Sequence, residues 1–218
     1  MPIARVSLGL AIAALAAGSA QGQAVNPLAG DTKAAQAPAH SIHPAPPQSR
    51  GKLEADPASG GQVFTDESGW YRFTMANGGT TRLEGSMRLF QFQSGGQKAA
   101  CLSLRIANNA LAKFSIQQIQ AELDTLYPTF DKTITDNGLT IVARQSITLD
   151  APGQRSVPPM RVLAWDTRDK SGLAMTYALA PLPAGQLLFA CGAGSADHAR
   201  EIIQRYLRLA DGVVVPAR

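Results

Sequence analysis

The sequence is poor in the residues that most often carry chemistry. It has two cysteines and three histidines among 218 residues, and only 6% of its residues are aromatic. Metal sites are usually built from closely spaced cysteines, histidines and carboxylates. The one close pair, His40 and His43, has no such companion beside it. We therefore expect no metal and no other cofactor.

Charge is also scarce and evenly spread. Charged residues make up 17% of the chain, and the formal net charge is +4. The basic residues form no block, whereas nucleic-acid-binding proteins usually show clustered basic side chains with exposed aromatics. We expect a surface of mixed charge and no nucleic-acid partner.

The sequence has no long apolar run. The run at residues 6–17 covers 12 residues, whereas a membrane-spanning helix needs about 20. Arg5 precedes this run and small residues follow it at 18–20, which is the order of a secretory signal. We expect residues 1–20 to be a cleaved signal peptide, with an uncleaved anchor as the alternative. We expect no transmembrane segment in the mature chain.

The stretch at residues 21–60 differs in composition from the rest. It is rich in Ala, Pro, Gln, Gly and Ser and has almost no large apolar side chain. Such a segment cannot bury enough surface to offset its conformational entropy. We therefore expect a disordered spacer at residues 21–60 and a single domain at 61–218. The style of the signal is typical of bacteria, which predicts a periplasmic or secreted protein.

Beyond residue 61, apolar and polar residues alternate in short runs, as they do in half-buried strands. The clearest example is Tyr71–Met75. Turn residues separate the runs at intervals of about 8–12 residues, which is typical of an antiparallel sheet. The further runs lie at 83–92, 99–106, 139–149, 162–167, 173–179 and 187–191.

Two segments follow a helical period instead. Ser115 and Gln118 have the spacing of a capping box, an apolar stripe follows them, and Pro128 is predicted to end this helix. A second helix is expected from Ala196 to Ala210. The prediction is an α+β domain, in which two helices pack on one antiparallel sheet of about six to seven strands.

Cys101 and Cys191 both fall in predicted strands. An even pair of cysteines in an exported protein predicts a disulfide. This bridge would close a loop of roughly 90 residues and contribute on the order of 4 kcal/mol in the chain-entropy model. Two alternatives remain open: buried free thiols, since cysteine packs well as a small apolar side chain, and a catalytic cysteine assisted by His198.

Residues 192–197 follow a predicted strand and open a helix, which is the context of a dinucleotide-binding loop. Asp197 stands where that motif requires its third glycine, and its carboxylate would repel a pyrophosphate. We interpret the glycines as a turn and Ser195 as the helix cap. Ser195 also lacks the Gly-x-Ser-x-Gly context of a hydrolase nucleophile. We assign no catalytic residue and no metal ligand.

Three aromatic residues could line a binding groove: Trp70 and Tyr71 at the start of the domain, and Trp165 on a central strand. Aromatic side chains at strand spacing also serve as core residues. The sequence leaves both interpretations open.

The order of elements resembles that of the PsbP-like α/β/α sandwich group. The matching stretches are Gly-Trp-Tyr-Arg-Phe at 69–73, the strand at 172–177 and the helix at 202–209. The resemblance covers most of residues 64–210 but departs at 75–77, where the apolar-Pro strand start of the group is missing. Members of the group are usually non-enzymatic accessory proteins. The resemblance implies a partner-binding role, and no functional residue is carried over from it.

We therefore predict a non-enzymatic, protein-binding accessory module whose partner is another envelope protein. One alternative is a small hydrolase with a site assembled from Ser103, Asp166 and His198. Another is a small-ligand carrier with a pocket near Trp165. Converging polar groups in a pocket would favour the alternatives, and a flat apolar patch would favour the accessory module.

Overall fold

The computed structural model describes residues 50–57, 59–76, 78–107, 111–149 and 160–209. The predicted signal peptide at 1–20 and the predicted spacer up to residue 49 lie outside the described residues. The described part contains two antiparallel sheets and three α-helices. The α+β class is confirmed, but the expectation of one sheet with two helices is wrong, because several short strands form a second sheet.

The smaller sheet alternates between buried and exposed residues. Tyr71, Phe73 and Met75 are buried, whereas Arg72 between them is exposed. One face of this sheet therefore lies in the core and the other faces outwards. In spatial order its four strands are β1 (Gly51–Asp56), β2 (Gly61–Asp66), β3 (Tyr71–Met75) and β11 (Leu207–Leu209).

Strand β1 lies within the segment whose composition predicts a spacer. It pairs with β2 along its whole length, from Gly51 opposite Asp66 to Asp56 opposite Gly61. All of its residues are exposed except the half-buried Asp56, so backbone pairing holds this strand in place. Such a strand carries no alternation of buried apolar side chains that would indicate it in the sequence. The first strand of the smaller sheet therefore begins at Gly51, ahead of the predicted domain start at residue 61.

The larger sheet has seven strands, and its central strands are covered on both faces. Strands β9 and β10 are buried along nearly their whole length. In spatial order the strands are β4 (Thr80–Glu84), β5 (Met87–Ser94), β6 (Gln97–Ala107), β10 (Gly185–Gly192), β9 (Ala174–Leu182), β8 (Met160–Arg168) and β7 (Thr140–Leu149).

The helices are α1 (Ile116–Ala121), α2 (Tyr127–Asp136) and α3 (Ala196–Tyr206), with a short 3-10 helix (Leu123–Leu126) between the first two. The capping box at α1 is confirmed. The Gln118 N–H donates to Ser115 Oγ at 3.2 Å, and the Ser115 N–H donates to Gln118 Oε1 at 2.8 Å. Within the described ranges, no helix has the length and apolar character needed to cross a membrane.

Two predicted helix ends are wrong. Pro128 lies in the first turn of α2, where its missing N–H would have no partner inside the helix in any case. It therefore begins a helix and does not end one. The last helix stops at Tyr206 and not at Ala210, because Leu207–Leu209 forms β11 and pairs with β3.

The larger apolar core lies between the two sheets. Phe73 of the smaller sheet contacts Phe90 and Phe189 of the larger one, with ring centroids 4.8 and 4.9 Å apart. Fully burying one such side chain contributes about 1.5–3 kcal/mol. Helix α3 adds three buried side chains to this core, those of Ala199, Ile202 and Ile203.

A second core lies on the opposite face of the larger sheet, beneath α1 and α2. Phe130 of α2 stacks on Trp165 of β8 with centroids 4.7 Å apart, and Trp165 Nε1 donates to Asp131 at 2.7 Å. Burial raises the pKa of Tyr127 above its ordinary value of 10.0. Its hydroxyl donates to the backbone carbonyl of Gln145. These contacts fix α2 on the β7–β8 side of the sheet.

Gln120 of α1 takes the place of a hydrogen-bonding partner that β9 does not provide for Arg161 of β8. If the register of Leu163 opposite Leu179 continued, Arg161 of β8 would face Pro181 of β9, and proline has no N–H to donate. The Gln120 amide fills this place. Its Nε2 donates to the Arg161 carbonyl at 3.0 Å, and its Oε1 accepts from the Arg161 N–H at 2.9 Å. One glutamine thereby satisfies both backbone groups of an extended residue.

The predicted disulfide is confirmed. Cys101 of β6 and Cys191 of β10 stand directly opposite each other in register, with Cα atoms 4.1 Å apart, and their sulfurs are bonded. Both residues are buried in the core between the sheets. The alternatives of free thiols and of a catalytic cysteine are therefore wrong.

Candidate binding trough

One end of the larger sheet is open on its helix side. Helices α1 and α2 contact β9 and β7, and the side chains of Gln91, Gln93 and Lys98 beyond them are exposed. This end holds a cavity of about 730 Å³, which we call the trough. It is lined by Gly78, Thr80, Gln91, Phe92, Gln93, Lys98, Ala99, Ala100, Leu173, Gly192, Ala193 and Gly194.

Small residues form the floor of the trough. One cross-strand row runs from Thr80 on β4 through Gln91, Ala100 and Gly192 to Met175 on β9. Neighbouring strands lie about 4.8 Å apart, so the backbones at the two ends of the gap, on β5 and β9, are about 14 Å apart. Ala100 and Gly192 have little or no side chain, and Met175 Cγ lies 3.8 Å from the place that a Cβ at Gly192 would take. These two positions therefore leave the floor low between the side chains of Gln91 and Met175.

The wall formed by β4, β5 and β6 is polar. Thr80, Gln91, Gln93 and Lys98 are all exposed. Within the described part of the chain, no hydrogen bond or ion pair engages these four side chains. Lys98 is the one charged residue among the described lining residues. The wall therefore offers two amides, a hydroxyl and an ammonium group to a ligand.

The opposite wall carries Leu173, which is 43% exposed. Asp169 holds the loop before it, because Asp169 Oδ1 accepts from the Ser171 hydroxyl at 2.6 Å, the Ser171 N–H at 2.8 Å and the Leu173 N–H at 2.9 Å. The hydrogen bond from the Ser171 hydroxyl lowers the pKa of Asp169 below its ordinary value of 3.8, and hydrogen bonds from backbone amides lower it further. This turn fixes the backbone from which Leu173 projects.

The hairpin between β5 and β6 packs against α3 beside the trough. His198 Nε2 lies 3.1 Å from Ser94 Oγ, and its Nδ1 lies 3.4 Å from Gln97 Oε1. Gly194 lies against the Gln97 amide, so a Cβ added at Gly194 would require the end of the Gln97 side chain to shift. Ser195 caps α3, since its Oγ accepts from the His198 N–H at 3.1 Å. The cap formed by Ser195 agrees with the structural interpretation of residues 192–197.

The three aromatic residues predicted as a groove lie in two separate cores. Trp70 and Tyr71 belong to the core between the sheets, and Trp165 to the core beneath α2. Tyr71 and Trp165 are 0% exposed, and Trp70 is 9% exposed. The structure places all three as core residues and does not join them in a groove.

Trp70 and Tyr71 help to tie the two sheets together. The Trp70 N–H donates to Asp66 at 3.3 Å, and the Arg105 guanidinium lies 5.8 Å from the centroid of the Trp70 ring. Asp66 and Arg105 form a buried ion pair at 3.4 Å. The Tyr71 and Ser103 hydroxyls share a hydrogen bond, with 2.5 Å between their oxygens. These contacts give both aromatic residues a structural role.

The residues of the hydrolase alternative belong to three separate networks. Ser103 bonds to Tyr71, Asp166 pairs with Arg200 at 2.6 Å, and His198 lies against the β5–β6 hairpin. Over the described ranges, no hydrogen bond joins any two of Ser103, Asp166 and His198. A nucleophile and its base must lie within hydrogen-bonding reach, so the structure does not assemble this site.

Metal-ligating side chains do not converge within the described ranges. No group of three or more His, Cys, Asp or Glu residues there lies close enough together to hold a metal ion. His40 and His43 lie outside the described residues.

The sequence contains only half of the signal for the polar residues of the trough. Phe90 and Phe92 alternate with Gln91 and Gln93, so the glutamines must lie on the face opposite the phenylalanines. Alternation does not show where the helices end over that face. The exposure of Gln91 and Gln93 therefore follows from tertiary structure alone.

No protein-family model matches the chain, and no curated protein matches it either. The resemblance to the PsbP-like group therefore stays a prediction.

Proposed function

We propose that the protein is an exported accessory module that binds a segment of another envelope protein in the trough. The observation that carries this proposal is the group of exposed side chains, two amides, a hydroxyl and an ammonium, that no other described residue engages. Leu173 on the facing wall adds an apolar contact. This combination suits binding to a polypeptide, which offers donors, acceptors and apolar side chains together.

Export is supported by the confirmed disulfide. Disulfides persist in oxidising compartments such as the bacterial periplasm and are rare in the cytosol. The signal-like order of residues 5–20 points to the same route. A periplasmic or secreted location of a bacterial protein accounts for both observations.

A small-ligand carrier is the second candidate, because a cavity of about 730 Å³ falls within the usual range of small-ligand sites, about 300–1,000 Å³. Such sites are lined mainly by apolar and aromatic side chains. Phe92 is the one aromatic among the described lining residues, and its ring turns to the opposite face, where it packs edge-on to Tyr206. A pocket near Trp165 is not supported, since Trp165 is fully buried. A polypeptide segment therefore fits better.

Site-specific photo-crosslinking in the native envelope tests the proposal. A photoreactive amino acid replaces Gln91 in the exported full-length chain, and the expected result is a light-dependent adduct with one other protein. The same amino acid at Arg72, exposed on the outward face of β3, is the matched control and should give no such adduct. Leu173→Asp should remove the Gln91 adduct while changing the free energy of unfolding by no more than about 0.5 kcal/mol.

Three results would contradict the proposal. Equal adducts at positions 91 and 72 would show non-specific proximity. A small molecule that copurifies with the protein and is lost in the Leu173→Asp variant would favour the carrier. Turnover of a substrate that disappears in a folded His198→Ala variant would favour an enzyme.

A further inference from the structure

The structure contains an internal example of how a glutamine recognises an extended backbone. The Gln120 amide donates to the carbonyl and accepts from the N–H of Arg161, at 3.0 and 2.9 Å. The amide group of glutamine carries one acceptor oxygen and a donor NH₂. It therefore matches the carbonyl and N–H that one residue of a strand presents on the same side.

Gln91 and Gln93 repeat this chemistry at the open end of the sheet. They lie two residues apart on β5, on one face, so their backbone positions are about 7 Å apart. An extended polypeptide presents successive N–H and C=O pairs on one side at the same two-residue interval. Neither side chain is engaged by another described residue. The two amides thus match the period of a strand that runs along the trough.

We propose that the trough binds its partner as an extended peptide segment, whose backbone pairs with the amides of Gln91 and Gln93. This inference rests on the proposed function and names the chemistry of the partner segment. The segment runs along β5, above the floor formed by Ala100 and Gly192, and places an apolar side chain against Leu173. Sequence specificity then comes from the side chains that meet Leu173 and Lys98.

Lys98 adds a preference for an acidic residue. It stands directly opposite Gln93 in the register of β5 and β6, and no described residue pairs with its ammonium group. Hydrogen bonds between an ammonium and a carboxylate are about twice as strong as those between neutral groups. A glutamate or aspartate near the Gln93 position is therefore the side chain that best complements this end of the trough.

An oligosaccharide would offer hydroxyl groups to the same amides. Its ring faces are apolar and flat, however, and gain most from a parallel aromatic surface. Among the described lining residues only Phe92 is aromatic, and it is buried on the opposite face. The observations therefore favour the peptide, and the oligosaccharide becomes an arm of the test.

Fluorescence anisotropy with the exported full-length protein tests the inference. The probe is a labelled hexapeptide of alternating valine and threonine that contains one glutamate. Two comparison peptides carry glutamine in place of the glutamate, or N-methyl groups on two alternate backbone amides. The glutamate peptide is expected to bind, and N-methylation, which removes the donors and disfavours close approach, should weaken binding at least about tenfold.

Variants of the trough separate the contact of the two glutamine amides with the peptide backbone from the contact of Lys98 with the glutamate side chain. Gln91→Met with Gln93→Met keeps the side-chain size but removes both amides, and should weaken the glutamate peptide at least about tenfold. Lys98→Gln should weaken the glutamate peptide by about tenfold and leave the glutamine peptide unchanged. Gln204→Met on the exposed side of α3 is the matched control and should change neither affinity.

Each outcome decides the inference. Equal binding of the N-methylated peptide, no binding of any peptide, or binding of a GlcNAc hexasaccharide that the methionine variant abolishes would overturn it. If the photo-adduct at position 91 persists in these cases, the protein-binding function stands and only the extended-peptide mode fails. If the adduct is also missing, both fail.

Discussion

Along strand β5, phenylalanines and glutamines alternate, and the two sets meet very different surroundings. Phe90 is fully buried between the two sheets, where its ring lies 4.8 Å from that of Phe73. Gln91, the next residue, is exposed on the polar wall of the trough. A single strand therefore contributes to stability through one face and to binding through the other. Substitutions at adjacent positions should separate these two properties.

The two ends of the helix-side face differ as clearly. At the covered end, a glutamine is part of the structure: Gln120 of α1 pairs with both backbone groups of Arg161. At the open end, Gln91 and Gln93 have no such partners among the described residues. The same residue type thus completes the fold where helices lie over the sheet and remains available where they do not.

The largest expected effect tests whether the two faces of β5 differ in their contribution to stability. Phe90→Ala should lower the free energy of unfolding by about 3–5 kcal/mol, because it leaves a cavity among packed rings. Gln91→Ala, one residue away, should change it by no more than about 0.5 kcal/mol. Urea unfolding of both variants measures the difference. Similar losses in the two would mean that the glutamine face also supports the fold.

The disulfide provides the next largest effect. It joins β6 and β10 on the buried face, away from the trough. Cys101→Ala with Cys191→Ala should lower the free energy of unfolding by about 2–5 kcal/mol, while binding in the trough persists in the folded fraction. Thermal unfolding measures the loss. Two thiols that titrate in denaturant without reductant would contradict the pairing itself.

Much of the fold could be predicted because its signals are local. Alternation identified β3 and the central strands, and the capping residues Ser115 and Gln118 placed the start of α1 correctly. Strands β1, β2 and β11 were missed. Strand β1 is exposed on nearly every residue, β2 does not alternate regularly between buried and exposed positions, and β11 has three residues that also fit a helical stripe. The second sheet was missed with them.

The trough could not be predicted for a different reason. Its floor depends on Ala100 lying beside Gly192, and its apolar wall on the position of Leu173, so it combines residues far apart in sequence. The glutamines were visible only as the polar half of an alternating strand. Trp165 was predicted as a groove residue because it is an aromatic on a central strand, yet helix α2 covers it. Which face is covered is a property of packing, and no local pattern contains it.

A smaller effect is expected at the start of α3, which packs on the core between the two sheets. Ser195→Ala should lower the free energy of unfolding by about 1 kcal/mol, because the His198 N–H loses its acceptor. Ser195→Asp should keep most of that stability, since aspartate is an equally good cap. Chemical unfolding of the pair checks the expectation. Equal losses of stability in the two variants would show that Ser195 contributes through contacts other than the helix cap.

The smallest effect concerns the wall of the trough and depends on pH. The pKa of Asp169 is lower in the folded protein than its ordinary value of 3.8. The carboxylate therefore supports the 169–173 loop fully above pH 3.8, and this support is lost as the pH falls through the lower, folded-state value. Hydrogen exchange at the Leu173 N–H, which donates to Asp169 at 2.9 Å, should accelerate in that acid range relative to core amides.

Asp169→Asn isolates this carboxylate from the other acidic groups. Its amide oxygen can still accept from Leu173 but carries no charge and does not titrate, so the loop should be weaker at neutral pH and should lose the acid-dependent change at Leu173. Acidic groups elsewhere in the chain are the same in both proteins, so their contributions cancel in the comparison. An identical acid response in the two proteins would show that the Leu173 wall is held by contacts other than Asp169.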